Sequence, residues 1–233
     1  WLQTGGVEDP DAPHNVKFSG EELSIGSHKD IELINMPQLT DGGIYTILFT
    51  GSDRAGNIAD TIEVNEVLYD FTSPKILVSY PTSNLITNSI DVSFTLSEDL
   101  FKGDFTWERI GGVEDTLAPY VANLIFDEMK KGIFSRVQLS NIPKFVENSI
   151  YELSISGNDR AGNKADTIVI SNVEYDFTPP KLTWISPNNG EAVNHKEVNY
   201  SNSELLKSAV ITWSWTSGEF DKDSLHAMEL FSQ

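Results

Sequence analysis

The chain has 233 residues, with 16 Lys and Arg against 35 Asp and Glu and a net charge of −19. Such a field repels nucleic acid and anionic lipid, so neither is an expected partner. The absence of cysteine excludes disulfides, thiolate zinc sites and cysteine nucleophiles, and no apolar run approaches 18 residues, so no membrane insertion is expected in this segment.

Taken in chain order, the first motif is "GGVED" at 5–9, with the acidic pair Glu8 and Asp9. An apolar run "IYTILF" follows from Ile44, with Tyr45 near its start. Then comes "GSDRAGNIADTI" at 51–62 and the linker "YDFTSPK" at 69–75. Every one of these returns 106 residues later: "GGVED" at 111–115, "GNDRAGNKADTI" at 157–168 and "YDFTPPK" at 175–181. Between Asp41 and Ile76, 19 of 36 positions are identical to those 106 further on. A third copy begins with "ITW" at 211–213 against "FTW" at 105–107, and His14 in "DAPH" precedes His226 in "DSLH" by 212. Internal repetition of this kind is settled before any chemistry is read. It divides the chain into 1–72, the last part of one repeat; 73–178, a complete repeat with its linker; and 179–233, the first part of a third.

The complete repeat reads as short strands. In "SIDVSFTLSED", Ile90, Val92, Phe94 and Leu96 alternate with Asp91, Ser93 and Thr95, the period of a half-buried strand. Phe105 and Trp107 share one face of "GDFTWERIGG". "NLIFDEMKKG" at 123–132 offers at most one helical turn, and "FSRVQLSNIP" another strand. Tyr151, Leu153 and Ile155 alternate with Glu152, Ser154 and Ser156, and Ile168, Ile170 and Val173 close the unit. About seven strands with turn signals between them predict an all-β chain of tandem, antiparallel, immunoglobulin-like β-sandwiches. In that frame Trp107 fills the core, and Tyr45 and Tyr151 lie where a tyrosine corner belongs. The repeated dodecamer is then a turn that each sandwich needs. Gly56 and Asn57, with Gly162 and Asn163, suit positive φ, and Asp53 and Asp159 accept hydrogen bonds from the loop's own N–H groups.

The runs Y-x-x-x-x-x-G-x-D-x-A-G-N at 45–57 and 151–163, with the linkers "DFTSP" at 70–74 and "DFTPP" at 176–180, resemble the bacterial immunoglobulin-like domains found in tandem in large secreted and cell-surface proteins. The resemblance implies an extracellular or cell-surface location and a late strand ending in the D-x-A-G-N turn. It specifies fold far better than function, because such domains serve adhesins, enzyme accessory regions and surface fibres alike. "GGVED" lies outside the family pattern and has no assigned role.

Chemistry is expected at the junction between repeats. Asp70 of the linker, Glu98 and Asp99 of "SED", and Asp159 of "NDRAGN" are expected to converge at one end of the sandwich. Carboxylates brought together repel unless a cation intervenes, and calcium tolerates irregular oxygen ligation. The next junction keeps Asp176 and Glu204 but has Leu205 in place of Asp99. Phe71 and Phe177 are expected to plug the seams between neighbours, and the linker prolines to stiffen them. The acidic "GGVED" loops, and Trp213 with Trp215 as a sugar-stacking pair, are weaker sites for a surface-protein or glycan ligand. Trp213 shares the register of core Trp107, which counts against the pair. No GxSxG, P-loop or GxGxxG motif occurs, and no enzyme activity is expected. The function expected is a semi-rigid extender, with adhesion as a second role, whose partners are neighbouring repeats of the same chain. The alternatives are an accessory array of a secreted enzyme and a self-assembling surface fibre or sheath subunit.

Overall fold

The alternating runs become strands. The computed structural model describes residues 1–31 and 37–231, and among these the protein is all-β, with no α-helix and two single turns of 3-10 helix at Gly20–Leu23 and Phe126–Met129. The second turn is the one expected in "NLIFDEMKKG". The chain forms two compact units, Trp1–Asp176 and Phe177–Gln233.

In the first unit, β1 (Leu2–Gly6), β2 (Gly43–Phe49) and β3 (Ile62–Tyr69) form a three-stranded antiparallel sheet. Eight strands follow: β4 (Ile76–Tyr80), β5 (Ile86–Thr87), β6 (Val92–Leu96), β7 (Lys102–Gly112), β8 (Tyr120–Asn123), β9 (Gly132–Val137), β10 (Ser149–Asn158) and β11 (Ile168–Tyr175). They make a three-stranded sheet, β4-β6-β9, and a five-stranded sheet, β5-β11-β10-β7-β8. All pairings are antiparallel except the short β5 alongside β11. The count is one above the seven expected, because two-residue β5 has too little sequence to carry a period.

The inward-facing residues of both sheets form one core. Phe94 of β6 meets Phe105 of β7 edge-on at 5.3 Å, and Trp107, Leu153, Ile155 and Val173 are fully buried with them. Phe145, from the loop before β10, lies parallel to Tyr175 at 4.1 Å. Ile90 and Ile168, expected on buried faces, lie at the core's edge and are only partly covered. Leu and aromatic side chains enclosed this way contribute about 1.5–3 kcal/mol each, which makes this stretch the stable centre of the unit.

The second unit holds two antiparallel hairpins, β12 (Leu182–Ser186) with β13 (Asn199–Asn202) and β14 (Ser208–Trp213) with β15 (His226–Phe231). Its pairing repeats the centre of the chain. Trp184 faces Tyr200 as Val78 faces Phe94, and Trp213 faces His226 as Trp107 faces Tyr120. In the first sheet, Ile47 faces Val64 as Leu153 faces Ile170. Each pair lies 106 residues from its counterpart, and the β-bulge between Tyr45 and Ile47 recurs between Tyr151 and Leu153.

Candidate functional site

The two dodecamers fold into the same loop. Asp53 accepts hydrogen bonds through Oδ1 from the N–H groups of Ala55 (2.9 Å) and Asn57 (2.8 Å), and through Oδ2 from the Asn57 amide (2.7 Å). Asp159 does the same with the N–H groups of Gly162 (2.7 Å) and Asn163 (2.9 Å) and the Asn163 amide (2.8 Å). Gly56 and Gly162 take φ of +91° and +98°, as expected. Asn57 and Asn163 do not have positive φ. Their contribution is the side-chain amide, which closes the loop on the aspartate and leaves the steric demand to the glycine. The Asn57 amide with three N–H donors, from Asn57, Ala55 and Gly56, holds the Asp53 carboxyl below the usual carboxylate range.

Three of the four junction carboxylates meet. Asp70, Glu98 and Asp159 each place an oxygen within 4.8 Å of the others. Asp159 is buried, while Asp70 and Glu98 are partly covered. Burial, then the charges of Asp70, Asp159 and Asp41, push the Glu98 carboxyl up, with Lys131 opposing. Three negative groups at this separation suit a divalent cation supplied with further oxygens by backbone or water. Asp99 stands apart. Its carboxylate accepts from the Lys130 ammonium at 2.8 Å and from the Lys131 N–H at 2.8 Å, and these hold it below the usual range. Both residues lie in the loop after β6, where Glu98 faces Asp70 and Asp159 while Asp99 is held by Lys130 and Lys131.

Phe71 does not plug the seam. It is 60 % exposed and tilts against Tyr69 at 5.8 Å, and Phe177 is also exposed. What holds the linker is polar: the Asp41 carboxylate accepts from the Phe71 N–H at 2.8 Å and from the Thr72 hydroxyl.

The repeated "GGVED" segments prove structural. Asp9 and Asp115 are buried, and each accepts a hydrogen bond at 2.6 Å from a buried tyrosine hydroxyl, Tyr45 and Tyr151 respectively. Each hydroxyl also accepts a backbone N–H from five residues upstream, Thr40 at 2.9 Å and Val146 at 3.1 Å, the geometry of a tyrosine corner. The neighbouring glycines allow the chain to pass. A Cβ on Gly112 would stand 2.1 Å from the Asn148 carbonyl oxygen, and one on Gly6 as close to that of Gly42. Sequence reading missed this clamp because aspartate and tyrosine lie 36 residues apart, although the constant separation in both copies was a usable signal. The clamp's third member changes between copies. His14 Nε2 lies 2.7 Å from Asp9, and Tyr120 donates to Asp115 at 3.0 Å. His226 is paired with Asp221 at 2.8 Å, as His14 is with Asp9.

The tryptophan pair does not form a stacking platform. Trp213 lines an apolar cavity of about 430 Å³ with Leu182, Trp184, Tyr200 and Val210. Trp215 turns its indole N–H to the Glu219 carbonyl at 2.8 Å and packs edge-on against Phe220. No helix among the described residues is long and apolar enough to cross a membrane. No protein-family model matches the sequence, and no curated protein matches it.

Proposed function

We propose that this chain is a stretch of tandem immunoglobulin-like β-sandwiches serving as a semi-rigid extender, and secondarily in adhesion, within a large extracellular or cell-surface protein. It performs no catalysis itself. The observation that carries this reading is the recurrence of strand register, β-bulge and tyrosine–aspartate clamp at one offset of 106 residues. Structural modules are built by repetition, whereas a reaction needs one site. The two packed sheets at Ile76–Tyr175 and their aromatic core support the sandwich. Neighbouring repeats of the same chain are the first partners.

Calcium at Asp70, Glu98 and Asp159 would stiffen the junction by neutralising three carboxylates drawn from a linker and two loops. The test is thermal unfolding of the 233-residue chain in calcium and in EDTA. A ligand at about a thousand times its Kd adds about 4 kcal/mol to the folded state. A raised midpoint, abolished by Asp70→Asn and Glu98→Gln, is the expected result. An unchanged midpoint removes calcium from the reading and leaves the extender.

A second reading, self-assembly by exchange of strands, draws on the exposed apolar face of the first sheet at Phe49, Ile62 and Val64. Sedimentation velocity across a concentration series decides it, since strand exchange requires a concentration-dependent species.

A further inference from the structure

The linker between β3 and β4 belongs to no sheet, yet its polar groups are taken up from both sides by side chains of the protein. Asp41, in the loop before β2, receives the Phe71 N–H and the Thr72 hydroxyl. From the other side, the Asn163 amide donates to the Asp70 main-chain oxygen at 3.0 Å and approaches the Asp70 carboxylate at 3.5 Å. Asn163 has two amide hydrogens. One satisfies Asp159 within the turn, and the other is left for the linker.

We propose that the D-x-A-G-N turn is a receptor for the linker of the repeat before it, with Asn163 as the positioning residue and the Asp70–Thr72 segment as its occupant. The turn at 53–57 shares the bonds from the asparagine N–H and amide to its aspartate, with the Ala55 N–H as further donor where the second turn uses that of Gly162. Asp53 is exposed and Asp159 is 2 % exposed, in the turn whose asparagine reaches the linker. Backbone groups outside regular structure need such partners, and meeting them with side chains from both neighbours fixes the direction of the chain between them. This explains why the asparagine recurs although its backbone needs no positive φ: one side chain closes the turn and seats the incoming linker. The latch makes the junction directional, since the upstream repeat contributes the aspartate and the downstream repeat the asparagine.

The inference rests on the extender reading but is independent of calcium. Hydrogen exchange of the Phe71 amide in EDTA, on the full 233-residue chain, tests it. Asn163→Ala is expected to lower protection of that amide by about tenfold or more. Asn57→Ala, which opens the same turn without a linker, is expected to leave it unchanged. In the unaltered chain the side-chain amide hydrogens of Asn163, one bonded to Asp159 and one to Asp70, are expected to exchange more slowly in EDTA than those of Asn57, so the proposal stays testable if Asn163→Ala misfolds. An unprotected Phe71 amide in EDTA, equal effects of the two asparagine variants, or equal exchange of the two side-chain amides would each overturn it. A calcium-raised midpoint without these effects would sustain the metal and remove the latch. The effects without a calcium response would do the reverse.

Discussion

The first sheet and its counterpart strands in the five-stranded sheet pair in one register, and their burial differs sharply. Tyr69 is 39 % exposed and Tyr175 1 %; Phe49 is 48 % exposed and Ile155 is fully buried; Val64 is 49 % exposed and Ile170 7 %. Hydrogen-bond register is the same in both. The tyrosine–aspartate clamp is also the same, and Tyr45 is as buried as Tyr151. The comparison separates two layers of information. Ladders, turns and clamps are set by residues within one sheet and its loops. The apolar core is set by the β4-β6-β9 sheet, which the first sheet lacks among the described residues.

The largest expected effect tests that division. Leu153→Ala empties a fully buried site and is expected to cost about 2–5 kcal/mol. Ile47→Ala, at the equivalent position, removes a half-buried side chain and is expected to cost less than half as much. Calorimetric unfolding of the two variants checks this. Equal losses would mean that Ile47 is packed in solution as tightly as Leu153, and would break the comparison.

The clamp predicts the opposite pattern. Tyr45→Phe and Tyr151→Phe each leave a buried carboxylate without its closest donor, and each is expected to cost about 1–3 kcal/mol. Similar losses would confirm that the clamp is independent of the second sheet. A loss only at Tyr151 would tie it to the packed core.

Much of this was legible in the sequence. Period-two alternation located β6, β7, β10 and β11, and the shared offset identified both turns. The convergence of Asp70, Glu98 and Asp159 followed from placing two loops and a linker at one end of a sandwich. Legibility ended where a side chain had two available partners. Asp99 adjoins Glu98 in sequence, but Lys130, 31 residues away, captures it across the sheet. Phe71 read as a plug because it is aromatic, yet its backbone N–H, bonded to Asp41, is what anchors it. The asparagines of the turns read as positive-φ residues by type, whereas the adjacent glycines absorb the strain. In each case residue type was informative, but the direction of the side chain depended on a distant element.

The smallest effect concerns the one position at which the clamps differ. Hydrogen bonds from Tyr45, then from His14, hold the Asp9 carboxyl down to about 2 against an ordinary value of 3.8, with burial opposing. At Asp115, burial is the largest influence and raises the carboxyl, but donors from Tyr151, Leu117, Tyr120 and Ala118 together outweigh it and the net shift is downward. A carboxylate held low when folded stabilises the protein fully above the unfolded value, and that stabilisation is lost as pH falls through the folded one. For Asp9 the loss runs from about pH 3.8 to about pH 2. His14→Tyr converts the first clamp to the form of the middle one and removes both the histidine hydrogen bond and its positive charge. The Asp9 carboxyl carbon, followed by NMR titration, is then expected to move its midpoint upward, while that of Asp115 stays fixed. An unmoved Asp9 midpoint would mean that Tyr45 alone sets it, and that the two clamps are equivalent despite the exchange of histidine for tyrosine.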